Sequence, residues 1–141
     1  MIKFGNDIIK VNNSWLTTGE PTPPGPGPDP YNPLNLPPFT IRLLYEDGVT
    51  PSFSKGTGVQ VSSSPNVWDL TYENSDWNRL LSVDREVLEV LGANTTNVTD
   101  MNYLFTNCSS LYSVPLFDTR NVTNMSHMFY RLFFINYYSF I

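Results

Sequence analysis

Apolar and polar positions along this chain change their period several times, and each change marks a different piece. Over residues 1–18, Ile2, Phe4, Ile8, Ile9, Val11, Trp15 and Leu16 are interrupted by Gly5-Asn6-Asp7 and Asn12-Asn13, both turn-favouring clusters. The pattern predicts a small hairpin, with a frayed terminus as the alternative. A hairpin of this length buries too little surface to stand alone, so it is expected to dock on a larger assembly. Over residues 39–72 the period is two. Phe39, Ile41, Leu43 and Tyr45 share one face, Glu46-Asp47-Gly48 is a turn signal, and VTPSFSK, GVQVSSS and VWDLTY supply further short strands. Pro51 lacks an amide donor and confines its strand to an edge. A small antiparallel β cap is expected here.

From residue 73 the pattern repeats. Asn97-Val98-Thr99-Asp100-Met101 returns 24 residues later as Asn121-Val122-Thr123-Asn124-Met125, and Phe105 and Phe129 keep the same offset. A fainter copy precedes them: Asp76, Asn78, Leu80, Val90 and Thr95 match Asp100, Asn102, Leu104, Val114 and Thr119, while Trp77, Leu81 and Val87 fall on Met101, Phe105 and Leu111. The units are 73–96, 97–120 and 121 onward, with register lost after Tyr130. In the middle unit, Met101, Leu104, Phe105 and Cys108 stand at i, i+3, i+4 and i+7, which predicts a short helix capped by Thr99 or Asp100. Leu111, Val114 and Leu116 predict a brief buried strand, and Phe117-Asp118-Thr119-Arg120 a corner. A unit of this size cannot cover its own apolar face, so stacking is expected to bury it. The expected class is α+β: an N-terminal hairpin, a Pro-rich linker, the β cap, and a short solenoid of about three 24-residue units over residues 73–141.

Between hairpin and cap, residues 19–38 hold nine of the twelve prolines. Proline fixes φ and removes donors, so polyproline II is favoured; at about 3.1 Å per residue the run spans up to roughly 60 Å. A spacer is the favoured reading over a ligand for SH3-like domains, since no basic residue flanks it. Charged residues make up only 15% of the chain, against roughly 25% in ordinary soluble proteins. The net charge of −5 disfavours a nucleic-acid partner, which clustered Lys and Arg would bind. A single cysteine and a single histidine exclude an internal disulfide framework and leave little for metal, cofactor or triad chemistry, so neither a cofactor nor a metal is expected. No signal-peptide run and no transmembrane segment is recognisable.

The run NVTDMNYLFTNCSSLYSVPLFDTRNVTNMSHMF resembles the short leucine-rich-type repeats of BspA-like bacterial surface proteins, including related repeats of mycoplasma lipoproteins. The pattern is met at Asn97, Val98, Thr99, Met101, Leu104, Phe105, Cys108, Leu111, Val114, Asp118 and Thr119, and again at Asn121, Val122, Thr123, Met125, Met128 and Phe129. The segment before it, IRLLYEDGVTPSFSKGTGVQVSSSPNVWDLTYENSDW, resembles a leader of such repeats in gut bacteria and their phages. The resemblance implies a right-handed leucine-rich-like solenoid used for adhesion or host interaction at a surface. The family's export signal and lipid-attachment cysteine are not seen, so a phage virion fibre or decoration protein stands beside a bacterial cell surface as the expected location.

The expected function is therefore a non-enzymatic interaction or adhesion module that binds a protein or glycan on a cell surface. The alternative is a purely structural or oligomerisation component of a virion or surface assembly. Tyr103, Tyr112, Ser113 and His127 are the candidate ligand contacts. Cys108 lies on the predicted apolar side and reads as buried structural cysteine rather than a reactive thiol. Asp84, Glu86 and Glu89 lack a calcium-loop pattern and read as a solvated face, and the Asn-x-Ser/Thr triplets read as turn-forming corners rather than glycan acceptors. After Arg131 the repeat gives way to LFFINYYSFI, half of it aromatic. This tail would act as an improvised plug, serve as the contact of a homo-oligomer, or reflect a truncated or frame-shifted gene.

Overall fold

The computed structural model describes residues 9–11, 14–16 and 27–132. The first part of the Pro-rich run and the aromatic tail 133–141, with the plug and oligomer contacts expected of it, lie outside the described residues. Near the N-terminus, β1 (Ile9–Val11) pairs antiparallel with β2 (Ser14–Leu16), Lys10 opposite Trp15.

The main sheet has four strands: β3 (Thr40–Tyr45), β4 (Thr57–Ser63), β5 (Asn66–Thr71) and β6 (Glu89–Asn94). Their order is β4-β5-β3-β6, and every neighbouring pair is antiparallel. Period-two patterning sets the two faces of β3. Ile41, Leu43 and Tyr45 are at most 1% exposed and point inward. On the opposite face Arg42 forks onto Asp69 of β5, directly across the ladder, at 2.7 and 2.9 Å.

The turn at Glu46-Asp47-Gly48 forms, with the Val49 amide donating to Glu46 O at 3.1 Å, but VTPSFSK makes no strand after it. Asn66 supplies the reason. Its side-chain amide donates to both Glu46 O and Val49 O, and its backbone amide to Asp47 Oδ1, so β5 closes this turn and takes the place beside β3. Gly56 then admits the chain to β4: its φ is +78°, and a Cβ there would stand 2.6 Å from Thr71 O.

The expected α+β class and leucine-rich-like solenoid are overturned. Among the described residues there is no helix, the regular sheet is open and antiparallel, and the parallel contacts between repeat units are single bridges, Asp76 with Asp100, Asp100 with Asn124 and Glu89 with Ser113. Where helices were expected, the chain makes successive tight turns. Leu80, Ser82 and Asp84 amides donate to Trp77, Arg79 and Leu81 carbonyls, three residues back. The intervening amides, of Trp77, Arg79, Leu81 and Val83, donate instead to Asp100, Asn102, Leu104 and Thr106 of the next unit at 2.7–3.1 Å. Met101, Tyr103, Phe105 and Asn107 do the same toward Asn124, Ser126, Met128 and Tyr130. A helix needs all these amides for its own i−4 carbonyls. It is further broken by left-handed residues, Arg79, Val83, Tyr103, Asn107, His127 and Arg131, at φ of 54–69°. The expected strand at Leu111, Val114 and Leu116 is likewise reduced to the bridge at Ser113, and Leu116 is 42% exposed.

One core nevertheless joins sheet and repeat units. Ile41, Leu43, Tyr45 and Leu70 meet Trp77, Leu81, Val87, Val98, Met101, Leu104, Phe105, Cys108 and Leu111 in a single buried cluster. The described part of the Pro-rich run lies along this body instead of standing off as a spacer. Leu36 is buried, its carbonyl accepts from Asn94 Nδ2 of β6 at 2.9 Å, and Leu34 occupies the space left by the missing side chain of Gly92. Asn32 holds the run's shape by bonding both the amide and the carbonyl of Leu36.

Candidate functional site

The same left-handed backbone recurs at Arg79, Tyr103 and His127, at φ of 58°, 55° and 54°. Register is fixed as well: the Arg79 amide donates to Asn102 O and the Tyr103 amide to Ser126 O, both at 3.0 Å. Equal dihedrals in registered segments send the three side chains out in one direction. The result is a column. The Arg79 guanidinium carbon sits 4.3 Å from the Tyr103 ring centre, and the Tyr103 and His127 rings stack at 4.6 Å with only 4° between their planes. Tyr130 meets His127 edge-on at 5.6 Å, and the Arg131 guanidinium lies 5.2 Å from the Tyr130 ring. Thr106 Oγ1 donates to His127 O at 2.9 Å and pins the last stacked member. Arg79, His127, Tyr130 and Arg131 are exposed and Tyr103 is half-buried.

A polar column runs beside it. Ser126 Oγ donates to Asn102 Oδ1 at 2.8 Å, and the side chains of Asp76, Asp100 and Asn124 each accept the amide two residues on, closing three equivalent turns. These bonds are what the repeated Asn and Asp residues do in the turns.

The structure therefore brings together two of the four residues singled out from sequence, Tyr103 and His127, and places the other two differently. The Tyr112 amide donates to Leu88 O and its hydroxyl to Glu89 Oε2 at 3.1 Å; Ser113 O accepts from the Val90 amide. Tyr112 and Ser113 thus belong to the seam between the middle unit and β6. Partial burial and the neighbouring Glu89 carboxylate hold the Tyr112 phenol above its usual range. Arg79, Tyr130 and Arg131 were not singled out from sequence. Arg79 carried a signal, since it precedes Tyr103 by the same 24 residues that separate Tyr103 from His127.

Cys108 is fully buried, and its thiol donates to Leu81 O while burial, then the Asp84 charge, push its pKa up to about 12. That thiol stays protonated at neutral pH and is a poor nucleophile. Asp84 is more than part of a solvated acidic face. Its carboxylate accepts from the Tyr45 hydroxyl at 2.7 Å and from the Glu86 and Val87 amides at 3.0 and 3.1 Å. Burial and this carboxylate raise the Tyr45 phenol well above its ordinary value, so both groups act as a structural tie.

A second surface feature is apolar. Tyr31, Leu116, Phe117, Met125, Met128 and Phe129 line a hollow of about 350 Å³, together with Pro115 and Thr119. Arg120, which follows Thr119 in the chain, pairs with Asp118 at 2.7 Å and lies 5.9 Å from the Tyr31 ring. No helix among the described residues is long and apolar enough to cross a membrane. Residues 75–137 match a family described as "Mycoplasma protein of unknown function, DUF285", a stretch that contains the whole stacked column. No curated protein and no solved structure matches the chain.

Proposed function

We propose that this chain is a non-enzymatic interaction module that binds a protein or glycan on a cell surface, carried by a bacterial surface protein or a phage particle. The observation that carries the reading is the exposed Arg79, Tyr103 and His127 column, in which three successive units present flat side chains at a regular step on one face. Non-glycine residues held at positive φ cost on the order of 1–2 kcal/mol each. The same conformation recurs at Val83, Asn107 and Arg131 in the turns of each unit, and at Arg79, Tyr103 and His127 it presents three side chains outward together. The resemblance to BspA-like surface repeats, over a stretch that lies within the matched residues 75–137, supports a surface role. The test is binding of the labelled chain to intact gut bacteria and to immobilised glycans, with a Tyr103→Ala, His127→Ala double variant beside it. Saturable binding lost in the double variant is expected. Background-level binding for the unaltered chain would sink the reading.

The apolar hollow around Leu116 and Met125 favours a second reading, a structural component that assembles through this face. Sedimentation analysis distinguishes it: a self-associating chain that binds no cells supports assembly over adhesion.

A further inference from the structure

We infer that the column is a site for an acidic polysaccharide, one carrying carboxylate or sulfate groups; this names the ligand class of the surface-binding reading and rests on it. The Arg79 guanidinium lies over Tyr103, its central carbon 4.3 Å from the ring centre, and among the described residues no carboxylate pairs with it. A stacked guanidinium keeps its in-plane N–H donors free, a fork that matches the two oxygens of a carboxylate or sulfate. At the other end of the site the Arg131 guanidinium stands over Tyr130, 5.2 Å from its ring centre. Among the described residues neither guanidinium has a carboxylate partner, and the two bracket His127 and Tyr130.

Tyr103 and His127 spend their facing ring surfaces on each other. With Arg79 over one side of Tyr103 and His127 stacked at 4.6 Å and 4° on the other, Tyr103 presents its edge and hydroxyl outward. Edges of this kind hydrogen-bond hydroxyls and do not offer the apolar pocket a peptide anchor needs. Spacing argues the same way. Along the column the step is 4.3 and then 4.6 Å, whereas an extended peptide presents same-side groups about 6.6 Å apart. A polysaccharide, with polar groups around every ring, has no such mismatch. Local charge also changes along the site: the acids Asp76 and Asp100 of the first two units give way to neutral Asn124 in the third, beside His127 and Arg131. Because the whole chain carries a net −5, attraction of a polyanion has to come from this face rather than from the molecule's overall field.

The experiment measures binding of the purified chain to heparin, polygalacturonate, neutral dextran and poly-glutamate by calorimetry at low and moderate salt. Binding is expected for at least one of the two acidic polysaccharides, weakening as salt rises, with none to dextran. Arg79→Gln and Arg131→Gln should each weaken it about tenfold, the loss of one charge-assisted fork. Arg79→Lys should recover only part, since it keeps charge without the flat stack. Arg85→Gln, an exposed arginine outside the column, should leave affinity unchanged, and circular dichroism checks that each variant folds. Equal binding to poly-glutamate, or full affinity in both glutamine variants, overturns the saccharide assignment. If cells are bound and neither acidic polysaccharide is, the ligand class is wrong while the surface-binding reading stands; if cells are not bound at all, that reading fails first.

Discussion

At the scale of single residues, the two methionines of the repeated Asn-Val-Thr-x-Met motif show how identical local sequence acquires different roles. Met101 is fully buried and Met125 is 49% exposed. The difference comes from what lies on top: the middle unit is covered by the third, whose Asn124 carbonyl accepts the Met101 amide at 2.8 Å, while Met125 borders the apolar hollow. Met101→Ala should therefore cost about 2–5 kcal/mol, the range for emptying a packed core site, and Met125→Ala about 0.5 kcal/mol or less. Urea unfolding of the two variants measures both numbers. Similar losses in each would mean that the third unit's apolar face is covered after all. The inward direction of Met101, Leu104, Phe105 and Cys108 was legible in their i, i+3, i+4, i+7 spacing, because all four are fully buried. The burial difference between Met101 and Met125 was not, since it depends on neighbours rather than on the motif.

At the scale of elements, spacing identified the buried positions but named the wrong backbone. A run of tight turns, each bent by a left-handed residue, repeats inward positions at three and four residues just as a helix does, so hydrophobic periodicity cannot separate them. What separates them is where alternate amides go, and those leave for the neighbouring unit. Val83 turns this into a test. It is β-branched, 53% exposed and held at φ 69°, whereas the equivalent position one unit later is Asn107 at φ 61°. Asparagine tolerates that conformation far better than valine, so Val83→Asn should stabilise the chain by about 1 kcal/mol. In a helix the two residues have nearly equal propensity and the change would do nothing. A rise in melting temperature supports the turns; an unchanged or lower one argues for a helix. The sheet was easier to read where alternation was strict, as at Ile41, Leu43 and Tyr45. It failed at VTPSFSK because the side chain of Asn66 recruits a distant strand to the turn, a partnership that no local pattern records.

At the scale of the whole molecule, the backbone bonds between units make stability directional. The sheet anchors the first unit: β6 lies within it and pairs with β3, and Leu36 and Leu34 pack on the far side of the same strand. The second unit hangs on the first through the amides of Trp77, Arg79, Leu81 and Val83, and the third on the second through those of Met101, Tyr103, Phe105 and Asn107. Among the described residues no further unit covers the third, so opening begins there at the least cost in buried apolar surface, and each unit must be uncovered before the one beneath it. Amide hydrogen exchange should follow that order. The amides of Trp77, Leu81 and Val83 should exchange slowest, those of Met101, Phe105 and Asn107 faster because loss of the third unit alone frees them, and the turn amides of Met128 and Tyr130 fastest. Mass-spectrometric or NMR exchange at neutral pH reads all of these in one experiment. Uniform protection across the three sets would mean that sheet and units open as one cooperative body. The reverse order would mean that the anchor lies at the third unit, and that the column's His127 and Arg131 end is the rigid part of the binding face rather than the part most able to adjust to a ligand.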